Sequence, residues 1–249
     1  MGIGGKAERS VTYGVNLILL FEQDFIGEGR ASIGGRRLSH LKTVHRAAVG
    51  DELCVGLAGG SIGTGRIVSL DDQTAEMEVR LDIAPPTPLP VTLVLALPRP
   101  KYFRRVLFTS SVLGVKRIFV VNSYRVEKSY WQSPFLENGP IEKQLVLGLE
   151  QARDTIIPEV LLRPRFKPFV EDELPGIIKG TVPLLADPRA GRPCPRAVAG
   201  PATLAVGPEG GFIPYETEKL LSAGFTAVSL GERILNVESA VPALLSRLF

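Results

Sequence analysis

Three short segments carry the residue types from which a site for a polar organic ligand can be built. They are Asp187-Pro188-Arg189, Gly207-Pro208-Glu209-Gly210-Gly211 and Gly231-Glu232-Arg233-Ile234-Leu235-Asn236. Each follows an apolar run that reads as a β-strand, over Val182–Ala186, Thr203–Val206 and Thr226–Leu230. In open parallel sheets ligands bind beyond the carboxyl ends of strands, so three such loops can converge on one pocket. The glycines let the backbone approach a ligand closely and take positive φ without a Cβ clash. Pro208 stiffens its turn and removes one donor, which leaves carbonyls and the other amides to hold something polar but not necessarily phosphate. Taken singly, each piece has a plainer explanation. Gly-Pro-Glu-Gly-Gly also serves as a strand-to-helix connection, and Arg233 with Glu238 as a surface ion pair across a helix start. Recurrence at three strand tips is what points to a site.

Several chemistries are excluded at once. The only histidines are His40 and His45, so the region holding these loops has none, which removes serine–histidine hydrolysis and histidine–metal sites there. Cys54 and Cys194 lie far apart with no Cys-x-x-Cys, so neither a disulfide framework nor a metal site is expected, and reduced thiols in a cytoplasmic protein are. No Gly-x-Gly-x-x-Gly follows a strand, which takes away the dinucleotide cradle. The stretch Gly60 to Arg66 imitates a phosphate loop, but it has arginine where lysine belongs and lies between two strand-like segments, so it reads as a hairpin.

The elements that must position the three loops divide at Ala84-Pro85-Pro86-Thr87-Pro88-Leu89-Pro90. Its four prolines in seven residues can neither continue a helix nor sit inside a sheet. Domains are expected over 1–86 and 87–249. Upstream, Asn16–Phe21, Glu52–Leu57, Ile62–Leu70 and Ala75–Leu81 read as strands of a small barrel or open sheet, with one helix over Arg37–Val49. Downstream, strands over Val91–Leu97, Arg117–Val121, Val160–Leu162 and the three above alternate with helices over Tyr102–Leu113 and Ile141–Arg153, from Pro214, and over Glu238–Leu248. Alternation of that kind predicts an α/β fold with a largely parallel, helix-covered sheet. The first apolar run, Val15 to Phe21, is about a third of a bilayer span, and Met1–Ser10 lacks the signal-peptide pattern. No membrane association is expected, and 1–12 reads as a flexible leader.

Formal net charge is only +3, yet it is unevenly spread. Residues 1–86 carry nine Lys/Arg against eleven Asp/Glu, and the remainder 20 against 15. Arg30 to Arg46 holds five basic residues, both histidines and no acid, a local stripe suited to a polyanion or to a solvated face.

With these residues in view, Leu204-Ala205-Val206-Gly207-Pro208-Glu209-Gly210-Gly211-Phe212, then Ala223-Gly224-Phe225 and Leu230-Gly231-Glu232-Arg233-Ile234-Leu235, closely resemble the C-terminal signature of a SPOUT-class family, the 16S ribosomal RNA uridine-N3 methyltransferases. His40-Leu41-Lys42-Thr43-Val44-His45-Arg46, Leu95 to Lys101, and Glu150-Gln151-Ala152-Arg153 resemble further family motifs, so the likeness runs over nearly the whole chain. It implies a PUA-like N-terminal β-barrel followed by a SPOUT α/β trefoil-knot methyltransferase domain, and a homodimer. The implied reaction is methyl transfer from S-adenosylmethionine to a uridine of the small ribosomal subunit, at position 1498. Cofactor binding is implied at Leu185, Ala186, Gly207, Pro208, Gly210, Gly211, Leu230, Gly231, Ile234 and Leu235. Glu209 and Glu238 become candidates for proton handling or base orientation, and Arg233 for stabilising developing uracil charge. Arg36, Arg37, His40, Lys42 and Arg46 are implied RNA contacts, extended by Arg104, Arg105, Arg125 and Arg153.

The sequence departs from the family pattern where the last motif usually runs on as Arg-Thr/Val-Glu-Thr-Ala, which here is Asn236-Val237-Glu238-Ser239-Ala240. Asparagine is shorter and uncharged. Arg105 and Thr109 stand where many members have an acid and a lysine, and Val112-Leu113-Gly114 where they have Glu-Leu-Gly. A non-catalytic RNA-binding or assembly protein with the same fold and a small-molecule nucleotide enzyme remain alternatives.

Overall fold

The computed structural model describes residues 16–249, His45 by its backbone only. The expected leader over 1–12 lies outside the described residues. Two compact units form, one running to Pro85 and taking in Arg153–Ile156, the other made of Pro86–Ala152 and Ile157–Phe249.

The first unit is a six-stranded mixed sheet. Its strands are β1 (Ile18–Leu20), β2 (Phe25–Gly27), β3 (Arg30–Ile33), β4 (Glu52–Leu57), β5 (Ile62–Leu70) and β6 (Ala75–Ile83), in the order β1-β4-β5-β6-β3-β2. Only β1 and β4 run parallel. The two edge strands are consecutive in the chain, and the steps from Leu20 to Phe25 span at most about 18 Å. The edges of a flat six-stranded sheet would lie about 24 Å apart, so this sheet must curl. Its concave side holds Ile18, Leu20, Ile33, Leu41, Val55, Ile67 and Met77. Of the glycines that imitate a phosphate loop, Gly63 and Gly65 sit inside β5 and Gly60 lies in the turn before it. A Cβ on Gly63 would fall 1.8 Å from the Arg80 carbonyl oxygen, and one on Gly65 2.8 Å from Val55. They are glycines because two strands press against them, and the hairpin reading holds.

Two expectations change here. β2 and β3 are too short and glycine-bounded to show alternation. The helix expected to reach Val49 is α1 (Gly35–His40) with a π-helical turn over Leu41–His45, ended by Arg46 in the left-handed region.

The second unit holds β7 (Val91–Ala96), α2 (Pro100–Val112), β8 (Arg117–Val121), α3 (Asn138–Ala152), β9 (Glu159–Arg163), α4 (Phe166–Pro168), α5 (Leu174–Ile178), β10 (Val182–Ala186), β11 (Ala202–Val206), α6 (Pro214–Ser222), β12 (Thr226–Val228) and α7 (Val237–Leu248). The strands form one parallel sheet in the order β12-β10-β11-β7-β8-β9. Side chains alternate faces along β7 as strand geometry requires. Val91, Leu93 and Leu95 pack with Phe103, Leu107, Leu145 and Val241 of α2, α3 and α7. Val94 and Ala96 turn to Phe169, Leu174 and Leu220, in the α4–α5 run and α6. The α4–α5 run was not expected, because proline and mixed polarity mask its period. Helix α3 ends one residue early, where Arg153 turns left-handed, and Arg153–Ile156 joins the first unit. There Thr155 is fully buried, and its carbonyl accepts the Gly59 N–H at 2.8 Å.

Candidate functional site

Because every strand of the second sheet is parallel, the chain leaves all of them at one edge. Five of the loops there matter. After β10, Asp187 accepts hydrogen bonds from the Arg189 backbone N–H at 2.9 Å and from its guanidinium at 3.1 Å through both carboxylate oxygens. Burial pushes the Asp187 carboxyl up, but the bonds and charge of Arg189 outweigh it, so it sits below the ordinary carboxylate range. After β11, the Gly211 N–H donates to the Pro208 carbonyl at 2.7 Å, with Gly211 at φ +71°. This tight turn needs glycine at its end. A Cβ on Gly207 would meet the Phe212 amide at 3.1 Å. After β12, Gly231 takes φ +115°. The loop then ends at Asn236, whose side chain accepts the Ser239 N–H at 2.9 Å and caps α7.

These loops enclose a cleft whose floor is Val206, Val228, Val237 and Leu244. Eight of the ten residues expected to hold a cofactor line it: Ala186, Gly207, Pro208, Gly211, Leu230, Gly231, Ile234 and Leu235. The other two, Leu185 and Gly210, line an adjoining cavity with Arg125, Arg189 and Thr217. The three segments singled out from the sequence are thus brought together. Across Leu230–Leu235 no backbone N–H or carbonyl is bonded to another described residue. This stretch of unpaired donors and acceptors lies over an apolar floor, and Ile234 is 84% exposed. An apolar heteroaromatic body with polar edges matches such a surface.

The charged candidates have distinct settings. Arg233 lines the cleft, is exposed, and makes no ion pair among the described residues. Glu209 also lines it, and its Oε1 accepts the Arg99 backbone N–H at 3.0 Å, tying the loop after β11 to the loop after β7. Glu238 stands outside the cleft, and both its oxygens receive Arg105 Nη1, at 2.9 and 3.0 Å.

Sequence reasoning missed the residues that brace the loops. Glu216 is 3% exposed, and its carboxylate accepts the Tyr124 N–H at 2.7 Å, the Ser123 hydroxyl at 3.0 Å and the Ile213 N–H at 3.1 Å. Its spacing from Pro214 announced only a helix start. The turn so fixed carries Arg125, whose guanidinium donates to the Gly210 carbonyl.

The expected RNA contacts fall into two groups. Arg37 is held inside the first unit by Asp24 at 2.5 and 2.7 Å and by the Leu19 carbonyl at 2.8 Å, 18% exposed. That setting is structural. Lys42 pairs with Asp72 at 2.8 Å, His40 and Arg153 are half-buried, and Arg36 and Arg46 are exposed. In the second unit Arg104 lies over the Phe135 ring at 4.9 Å, Arg105 pairs with Glu238, and Arg125 is exposed. Among the described residues no helix is long and apolar enough to cross a membrane, and no cluster of His, Cys, Asp or Glu could hold a metal ion. Cys54 and Cys194 are buried free thiols, both pushed up by burial.

A family model described as an RNA methyltransferase domain matches residues 85–249. The chain is 29% identical over 240 residues to the ribosomal RNA small subunit methyltransferase E of Treponema pallidum, covering 91% of this chain and 88% of that one. It is 28% identical to the protein of the same name from Synechocystis, over 98% of this chain and 80% of that one. The crystal structure of the corresponding protein from Neisseria gonorrhoeae, bound to S-adenosyl methionine, superposes with a TM-score of 0.74 at 22% identity, covering 93% and 95% of the two chains. At that identity the likeness establishes a common fold.

Proposed function

The chain belongs to the RNA methyltransferase family, and from that premise we propose that it moves a methyl group from S-adenosylmethionine to N3 of a uridine in small-subunit (16S) ribosomal RNA. The observation that carries this reading is the coincidence, in one cleft, of three strand-tip loops, two of which line it with glycines, an apolar floor and the unpaired backbone of Leu230–Leu235. S-adenosylmethionine, when bound, supplies an already activated methyl on its sulfonium, so the chain needs no nucleophile of its own. Val206, Val228 and Leu244 offer an apolar bed for its adenine, and the backbone of Leu230–Leu235 offers partners for the purine edge. Gly207 keeps space that a side chain could enter only by pushing Phe212.

The target uracil must lie in line with the methyl and lose its N3 proton. Glu209 keeps one carboxylate oxygen beyond its bond to Arg99, and that oxygen orients the base or receives the proton. Arg233, with no competing carboxylate, stabilises negative charge as it develops on the uracil. Glu238, engaged by Arg105, steadies that arginine at the start of α7. The same reading makes the first unit a PUA-like barrel gripping RNA, which its curled mixed sheet supports. It makes the second a trefoil knot, supported by the way 187–200 bonds to Val228 and Ser229 and also, through Ala197 and Val198, to the end of α7. The enzyme then acts as a cytoplasmic homodimer on the small subunit. Incubating the purified chain with small subunits and methyl-labelled S-adenosylmethionine, then digesting the RNA for nucleoside mass spectrometry, tests the proposal. N3-methyluridine is expected, and absence of label or label on another nucleoside overturns it.

A further inference from the structure

The turn after β8 presents Tyr124 with 79% of its surface exposed, among the most exposed of the large hydrophobic side chains of the described residues. Exposed aromatics scattered singly are common and need no explanation. This one is mounted differently. Its own backbone N–H is held at 2.7 Å by the buried Glu216 carboxylate, and the hydroxyl of Ser123 beside it at 3.0 Å by the same group. Burying a carboxylate with no basic partner is costly unless it is fully hydrogen-bonded, and Glu216 meets that condition by gripping this turn and the start of α6. The next residue, Arg125, is a wall of the cavity beside the cofactor cleft and bonds the Gly210 carbonyl. Consecutive Cα atoms are about 3.8 Å apart, so the exposed ring is carried one residue from a wall of that cavity, on a backbone that Glu216 holds in place.

We propose that Tyr124 is the platform on which the RNA stacks an unpaired base at the mouth of the site, with Arg125 and Arg189 in the adjoining cavity meeting the phosphate or carbonyl oxygens that accompany it. A backbone held in place suits this role, because the turn that carries the ring need not be ordered when the base stacks. A base that reacts at N3 must leave its stack, and an aromatic face at the rim compensates for the stacking it loses. The inference rests on the proposed RNA methyl transfer and adds the residue that receives the base.

Binding of purified small-subunit ribosomal RNA is measured for the full chain and for Tyr124→Ala and Tyr124→Phe, with S-adenosylmethionine affinity followed in parallel. Stacking of one base predicts that Tyr124→Ala weakens RNA binding about 5- to 150-fold while cofactor affinity stays unchanged, and that Tyr124→Phe rescues the loss. RNA affinity unchanged in Tyr124→Ala overturns the proposal. So does a Tyr124→Phe variant as weak as alanine, which would place the effect in the hydroxyl. A Tyr124→Ala chain that changes sedimentation from dimer to monomer overturns it as well, because the ring would then seal a second copy. RNA that binds the wild type and depends on Tyr124 without receiving a methyl group sinks the transfer reading and leaves the platform standing. RNA that does not bind the wild type sinks both.

Discussion

Replacing Asn236 separates what the structure says from what motif comparison says. The family pattern has arginine at this position, so on sequence alone Asn236→Arg restores a lost charge and should raise the transfer rate. In the structure Asn236 is the cap of α7, with φ −68° and ψ 164° and its side-chain oxygen on the Ser239 N–H at 2.9 Å. Four amides at a helix start lack internal partners, and a capping asparagine satisfies one of them. Replacing such a cap with alanine costs about 1 kcal/mol, and arginine cannot accept the bond either. For a chain of this size that is about 2–4 °C in melting temperature. Asn236→Asp keeps the acceptor and adds a negative charge at the positive end of the helix, so it should melt at or above the wild type. Differential scanning calorimetry of the three variants gives the order Asp, wild type, then Ala and Arg together. An alanine variant melting with the wild type, or an aspartate variant melting below alanine, refutes the capping argument. Arg then loses stability whatever it does to rate, and only a rate corrected for folded fraction reports on its charge.

Arg36 and Arg37 are neighbours with opposite expectations. Arg36→Glu should weaken RNA binding and flatten its salt dependence by about one unit of slope, whereas Arg37→Glu should unfold the first unit by leaving Asp24 buried without its cation; filter binding across salt and circular dichroism distinguish them. The Asp187 carboxyl is lower in the folded protein than in the unfolded chain, so its stabilisation is complete above the ordinary carboxylate range and is lost as pH falls through the lowered value. Asp187→Asn should therefore remove part of the acid-side slope of stability and leave neutral pH less stable than wild type, as denaturant titrations from pH 3 to 7 would show. Arg233→Ala should cut the turnover rate about 100-fold with S-adenosylmethionine affinity within a few-fold of wild type, and an equal fall in both would give Arg233 a role in cofactor binding instead.

Much of the second unit was legible because its strands and helices announce their periods and its loops carry glycine and proline at the strand tips. Val91–Ala96 and Val182–Ala186 are short, largely apolar runs, and Gly114 and Pro214 mark helix ends. What escaped notice depends on partners distant in sequence. Nothing local says that Glu216 faces inward onto Ser123 and Tyr124, 93 and 92 residues away, or that Glu209 binds the backbone of Arg99. Arg37 looked like its exposed neighbour Arg36 because charge patterns do not reveal which side of a short helix meets Asp24. Arg153–Ile156 followed a helix in sequence yet packs in the first unit through Thr155 and Gly59. Side chains that bridge elements set the site, and single-sequence periodicity does not see bridges.

Amide hydrogen exchange with and without S-adenosylmethionine tests the cleft most directly. The amides of Leu230–Leu235, which have no partner among the described residues, should exchange fast alone and slow markedly once the cofactor is present, together with those of Gly207–Gly211. Protection that appears elsewhere in the second unit, or no protection at saturating cofactor, would contradict the account.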